Sequence, residues 1–334
     1  MPIPRVPADN PMSSAKVELG RRLFYDTRLS GNGAYACSSC HQQARAFTDG
    51  RAHAIGSTGA THPRSSMSLA NVAYNVTFGW ADPGLRSLEA QIAVPMFNEH
   101  PIELGLKGRE AEVVRRLGGD GDDAALFAAA FPGEAPSLTF GHIVKAIAAF
   151  ERTVVSGDSP FDRYLYRDDR TAITAAARRG MNLFFSKALR CSECHAGFNL
   201  SGPVMSAASD PAEPLFHNTG LYDTDGRGAY PSWDRGLFDR THAPADMGRF
   251  RAPTLRNIAV TAPYMHDGSI ATLEAVVAHY AEGGVKSVLQ SDRVKGFPIS
   301  ASEAADLVEF LKSLTDQTFL TNPAFAKPST RAVR

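Results

Sequence analysis

The stretch CSSCHQQARAF separates Cys37 and Cys40 by two residues and puts His41 directly after the second. The stretch CSECHAGFNL repeats the arrangement at Cys191, Cys194 and His195, in the other half of the chain. These are the only four cysteines. A structural zinc site, a redox-active dithiol and a plain disulfide all use C-x-x-C, but none requires the histidine. With 10 His in 334 residues, a His at both places by composition alone has odds of about one in a thousand. A zinc ribbon also sets its two knuckles only roughly 15–20 residues apart. C-x-x-C-H is the attachment motif of c-type haem, in which the cysteines form thioethers and the histidine binds iron. Two copies that use every cysteine predict two covalent haems c.

The lead-in to each motif is duplicated too. ELGRRLFYD precedes the first and ARRGMNLFFS the second, each with basic residues and a glycine before an aromatic pair, Phe24-Tyr25 and Phe184-Phe185. This is the helix expected ahead of the haem-binding turn of a cytochrome c domain, so the chain reads as two such domains. LTFGHIVKAIAAFERTVV has Ile143, Ile147 and Phe150 on one stripe with Thr139 as N-cap. SASEAADLVEFLKSL opens with a capping box, Ser300 to Glu303. No long alternating strand pattern is present. The predicted fold is mainly α, with cytochrome c-like domains at 1–160 and 161–334, meeting near SGDSPFDRY. The last helix, 302–315, is expected to pack back on the N-terminal domain. The Gly- and Pro-rich stretch from Ser201 to Ala252 reads as a long irregular insertion.

Lys+Arg and Asp+Glu are 35 each, which gives no sign of nucleic acid or a membrane surface as a bulk partner. No apolar run approaches the roughly 20 residues of a membrane span. The opening MPIPRVPADNPM lacks the apolar segment of a secretory signal, so an exported protein would be represented here in mature form behind a start Met.

The sixth position of each iron decides the chemistry. In ATLEAVVAHYAEGG, Thr272 is an expected N-cap and Gly283-Gly284 an expected stop. Leu273, Val276, Val277 and Tyr280 share one stripe, with His279 about 100° away from it. On periodicity alone Tyr280 is a core tyrosine with a hydrogen-bonded hydroxyl.

Four stretches, LSGNGAYACSSCH, SLANVAYNVTFGWADPGLRSLEAQIAVPMFNEHPIELG, CSECHAGF and FRAPTLRNIAVTAPYMHDGS, resemble the bacterial di-haem cytochrome c peroxidases and their MauG-like relatives. The resemblance spans nearly the whole chain. In the peroxidases the helix after APYxHDGS gives a methionine to the second haem. Counted from Thr261, that position holds Tyr280, as it does in MauG-like enzymes, and the resemblance implies Tyr280 as an iron ligand. An anionic oxygen ligand favours the higher oxidation states of iron over easy electron uptake. Trp80 matches the tryptophan placed between the two haems. Gln91, Pro95 and Glu103 match distal residues of the first haem, Glu103 across a two-residue gap and with Glu99 as the alternative. A carboxylate beside an open iron can take a proton from peroxide and return it to the leaving oxygen. His62 does not align with the peroxidases' distal histidine, so the first haem is expected to be five-coordinate and open. The family's calcium ion corresponds to Thr261 and Pro263, with Ser65 where the relatives carry an asparagine.

HPRSSMSLANVAYN and NEHPIELGL look most like the MbnH branch, whose members are associated with copper-handling partners and oxidise a partner tryptophan to kynurenine. The resemblance therefore implies a periplasmic enzyme that takes hydrogen peroxide, forms a high-valent di-iron state and oxidises a tryptophan of a copper-binding partner protein. Two rivals remain open. One is a peroxidase fed by a small cytochrome or copper protein; the other is a di-haem electron-transfer module without catalysis.

Overall fold

Side-chain hydroxyls decide where the main helices begin. Ser13, Thr139, Thr174, Thr272 and Ser300 each accept a backbone N–H from three residues on, capping the helices Ser14–Phe24, Phe140–Thr153, Ala175–Phe184, Leu273–Glu282 and Ala301–Lys312. The computed structural model describes residues 1–209 and 213–329, so 210–212 and the last residues of the expected second domain, 330–334, lie outside the described residues. The architecture is mainly α and cytochrome c-like. Among the described residues the one sheet is an antiparallel pair, β1 (Phe216–Asn218) and β2 (Arg249–Arg251), with His217 opposite Phe250. This ribbon and a short helix, Phe238–Thr241, give order to the stretch expected to be irregular.

Two hydrophobic cores form, and they are built alike. In the first, the Ser14–Phe24 helix crosses Phe140–Thr153, burying Leu19, Leu23, Phe24, Ile143, Ile147 and Phe150. In the second, Ala175–Phe184 crosses Ala301–Lys312, burying Phe184, Leu307, Phe310 and Leu311. A glycine makes each crossing possible. A Cβ on Gly20 would stand 1.8 Å from the Ala146 carbonyl oxygen, and one on Gly180 would stand 1.9 Å from that of Asp306. Each glycine lies four residues before the buried phenylalanine of its helix, Phe24 or Phe184.

A second duplication is less visible in sequence. SLANVAY and TLRNIAV each put an asparagine at positive φ, Asn71 at 59° and Asn257 at 60°, at the start of a 3-10 turn. Both asparagines reach the same serine. Asn71 donates to the Ser156 carbonyl (2.9 Å) and accepts its N–H (2.8 Å), while Asn257 donates to the Ser156 hydroxyl (3.0 Å). Asp316 closes the knot by accepting from the Ser156 hydroxyl and from the Gly157 and Asp158 N–H groups.

The expectation for the helix at 302–315 needs correction. The helix Ala301–Lys312 lies on Ala175–Phe184, with Phe310 and Phe184 ring centres 5.1 Å apart. Gly180 lets the two backbones meet, which commits the apolar stripe to the second core. The return to the first core is made by the segment beyond that helix, where Phe319 and Phe325 close on Phe47 at 5.7 and 6.4 Å. The Tyr25 hydroxyl donates to the Phe325 carbonyl at 2.7 Å, and Gln43 donates to Phe319 and Asn322.

Gly20→Ala or Gly180→Ala should therefore cost about 1–3 kcal/mol or more by forcing the helices apart. Gly118→Ala, whose Cβ meets nothing within 4 Å at the end of the helix Glu110–Gly118, should be neutral or mildly stabilising. Thermal unfolding of the three variants checks this; equal melting temperatures would mean the close approach carries no energy.

Candidate functional site

Each C-x-x-C-H turn opens onto its own cavity. Cys37, Cys40 and His41 line one, and Cys191, Cys194 and His195 the other. None of the four cysteines is in a disulfide. Burial pushes all four thiols up, the reverse of the depressed thiolate that a redox dithiol uses.

The two histidines are oriented by the same device. His41 Nδ1 donates to the Phe47 carbonyl at 2.8 Å, and His195 Nδ1 donates to the Leu200 carbonyl at 3.0 Å. Since a carbonyl only accepts, the proton sits on Nδ1 and the Nε2 lone pair is left for a metal. Burial lowers the pKa of both imidazoles and keeps them in that neutral form. The accepting residues are themselves unusual, because Phe47 (φ 62°) and Leu200 (φ 49°) are non-glycine residues in the left-handed region. A hydroxyl braces each from behind: Ser68 donates to the Ala46 carbonyl at 2.6 Å, and Thr254 to that of Asn199 at 2.7 Å. Sequence reading found the histidines but not these supports, whose signal was the second repeat.

The first cavity gathers the expected distal residues. Gln91 and Pro95, four apart on the helix Leu88–Phe97, line it together with Glu103 and His62. The buried Gln91 Oε1 has no hydrogen-bond partner. Burial pushes the Glu103 carboxyl up to about 7, where it can both take and return a proton near neutrality. Glu99 is elsewhere, exposed and paired with Lys107, whose hydrogen bond and charge hold it below the usual carboxylate range. His62 is neutral, lowered to about 4 by burial and Arg64, and its Nδ1 accepts from the Arg64 N–H at 3.1 Å. Glu151, not singled out from sequence, also lines this cavity and is pushed up to about 8 by burial.

In the second cavity Tyr280 stands among the lining residues with His195. Burial drives its phenol well above the ordinary value, with the nearby cysteines adding and Thr219 opposing. The phenol ionises there only against a strong positive charge, such as that of a bound metal. Its neighbour His279 is turned away, with Nε2 bonded to the Thr219 carbonyl at 3.1 Å.

Trp80 and Arg251 line both cavities. The Trp80 indole N–H donates to the Ser65 carbonyl at 3.0 Å, while Ser65 N–H donates to His266 at 2.8 Å. Arg251 is a half-buried cation lowered to about 10 by desolvation, and its side-chain hydrogen bonds go to the Gly79 carbonyl and the Met67 sulfur. A cavity-lining guanidinium that bonds only neutral atoms fits an anionic group entering the cavities, as the propionates of haem would. Half-buried thiols, Nδ1-anchored histidines and this cation together fit two haems.

The calcium residues do not fit as well. The Ser65 hydroxyl donates to the Met265 and His266 carbonyls, its own carbonyl is held by Trp80, and the Thr261 hydroxyl donates to Ile258. No cluster of three His, Cys, Asp or Glu suited to a metal occurs among the described residues. Calcium takes six or more oxygens, from carboxylates, carbonyls or waters, so Ser65, Thr261 and Pro263 would need further oxygens to complete a site.

Arg251→Met in the haem-loaded protein should cost about 3–5 kcal/mol, because it leaves buried anions without their cation. Arg251→Lys should cost less. Denaturant unfolding followed at the haem absorbance reads both, and unchanged stability in the Met variant would show that the guanidinium has no anionic partner.

Comparison with known proteins gives a consistent result. Residues 14–170 match the family described as di-haem cytochrome c peroxidase. The chain is 38% identical to the cytochrome-c peroxidase IdrP1 of Denitromonas iodatirespirans, over 94% of this chain and 85% of that one. It is 36% identical to the methylamine utilization protein MauG of Methylorubrum extorquens, over 92% and 80%. Among solved structures, a MauG-like protein associated with microbial copper homeostasis superposes with a TM-score of 0.96, at 49% identity, covering 98% of this chain and 97% of that one.

Proposed function

The chain belongs to the di-haem cytochrome c peroxidase and MauG family of oxidoreductases, and from that premise we propose that it uses hydrogen peroxide to oxidise a tryptophan of a partner protein to kynurenine. The observation that carries the reading is Tyr280 in the second cavity, where the peroxidases have methionine. Cys37, Cys40 and His41 would hold one haem and Cys191, Cys194, His195 and Tyr280 the other, and the pair would supply peroxide activation and storage of oxidising equivalents. The protein's part is to hold groups and move protons. Glu103 takes a proton from peroxide and returns it to the leaving oxygen, with Gln91 and Pro95 shaping the same wall. Trp80, fixed by its bond to Ser65, bridges the two cavities so that charge can be shared. Held as a phenolate by a bound metal, Tyr280 would disfavour electron uptake from a soluble donor and favour oxidation of a side chain. Likeness to a protein associated with copper homeostasis supports a copper-binding partner. Thioether attachment of haem c supports a periplasmic location. No helix among the described residues is long and apolar enough to cross a membrane.

Tyr280→Phe should keep both covalent haems, change the low-spin optical and EPR signature, and abolish partner oxidation. A variant with the parent's ferric spectrum would make Tyr280 a packed aromatic only. Because Glu103 must be ionised to accept a proton, the rate of the peroxide reaction should rise with pH through about 7. Glu103→Gln should flatten that profile and slow the step by about 10²–10⁴-fold; stopped-flow absorbance measures both. Mass spectrometry of the partner after incubation with enzyme and peroxide tests the substrate. An unmodified partner beside rapid oxidation of a small cytochrome would make this an ordinary peroxidase.

A further inference from the structure

A run of aromatic rings leads outward from Trp80 through the segment between β1 and β2. Trp80 packs against the cluster of Ala81, Tyr230 and Phe250, with Tyr222 at the edge of the same cluster. Ring centres step 6.2 Å from Phe250 to Tyr230, 5.6 Å from Tyr230 to Tyr222, and 6.5 Å from Tyr222 to Trp233. The run ends at the surface, since Trp233 is 52% exposed. Only two tryptophans occur in the chain, and the cluster against which the first packs leads to the second.

An exposed tryptophan needs no explanation by itself. The hydrogen bond beneath it supplies one. The Tyr222 hydroxyl donates to Asp267 Oδ2 at 2.5 Å. Burial and that carboxylate push the phenol up to about 12, so it keeps its proton in the resting protein. Burial would raise Asp267, but hydrogen bonds from Tyr222 and Ser269 hold it below the usual carboxylate range, so it is ionised and ready to accept. A tyrosine gives up an electron near neutral pH when its proton can leave in the same step, and Asp267 is placed to receive it. Tyr230 has no such acceptor: its hydroxyl donates to the amide oxygen of Asn218 at 2.9 Å.

We propose that Tyr222, with Asp267 as its proton acceptor, is a redox relay between Trp80 and the surface, and that Trp233 is the terminus over which the partner's aromatic side chain docks. An electron passes from the partner to Trp233, then to Tyr222, and through the Tyr230 and Phe250 contacts to Trp80 and the haems. As Tyr222 gives its electron its hydroxyl proton moves to Asp267, and the same proton returns when Trp233 refills it. Two such passages supply the two electrons that, with two protons, reduce hydrogen peroxide to two waters. The relay rests on the peroxide chemistry proposed above.

The test uses haem-loaded protein and hydrogen peroxide without any partner, so that oxidation ends within the chain. Freeze-quenched EPR should show a tyrosyl signal in the parent that is lost in Tyr222→Phe. Peptide mass spectrometry should find Trp233 oxidised in the parent, and severalfold less so in Tyr222→Phe and Asp267→Asn, per peroxide consumed. Tyr222→Phe keeps the ring and its packing, so it reads the hydroxyl alone. Equal oxidation of Trp233 in parent and both variants, or an intact Trp233 and no tyrosyl signal in the parent, overturns the relay. An unmodified partner beside a relay-oxidised Trp233 overturns the partner reading and leaves the relay standing.

Discussion

The hydrogen bond from each histidine Nδ1–H to a backbone carbonyl is the interaction on which the rest depends. It fixes the tautomer, aims Nε2 into the cavity and raises the basicity of the ring toward a metal. Its acceptors, Phe47 and Leu200, sit in a conformation that costs about 1–3 kcal/mol each in a non-glycine residue. That cost persists because the surroundings over-determine it. Phe47 is locked by Phe24, Phe319 and Phe325, and the chain leading to Leu200 by the hydroxyl of Thr254 and the buried pair Arg256–Asp162. Arg256 also donates to Phe198, two residues before Leu200.

What could be read from the sequence was what chemistry forces into local patterns. C-x-x-C-H is such a pattern, and so is a capping hydroxyl three residues ahead of the N–H it serves. Gln91, Pro95, Glu103 and Tyr280 came from resemblance, and all four line the cavities to which it assigned them. Arg251 and Glu151 were missed although both lie in stretches quoted for other reasons, FRAPTLRNIAV and LTFGHIVKAIAAFERTVV; only their place against a cavity makes either informative. The helix Ala301–Lys312 was misplaced for a related reason. Its apolar stripe says that it is buried, but the partner is chosen by Gly180, in a distant part of the chain. Periodicity reports a buried face and says nothing of what buries it.

The two halves repeat one plan: a glycine-bearing helix, a C-x-x-C-H turn, a left-handed carbonyl, then a hydroxyl and an asparagine in a 3-10 turn. The differences between them fall where the chemistry differs. The first half places carboxyl groups around its cavity, with Glu103 and Glu151 both raised by burial, and so retains protons. The second places a phenol there, with Arg190, Arg251, Arg293 and Lys295 and no carboxylate among its lining residues. Between the two stands Trp80, whose indole is tied through Ser65 to the segment leading into Asp267.

The strap formed by Phe319 and Phe325 has a consequence for the order of events during synthesis. The first C-x-x-C-H turn is made early, whereas the rings that pack on Phe47 behind it come only after the residues of the second core. Until they arrive the first core lacks two of its buried phenylalanines. The N-terminal core is thus complete only when the last part of the described chain is in place.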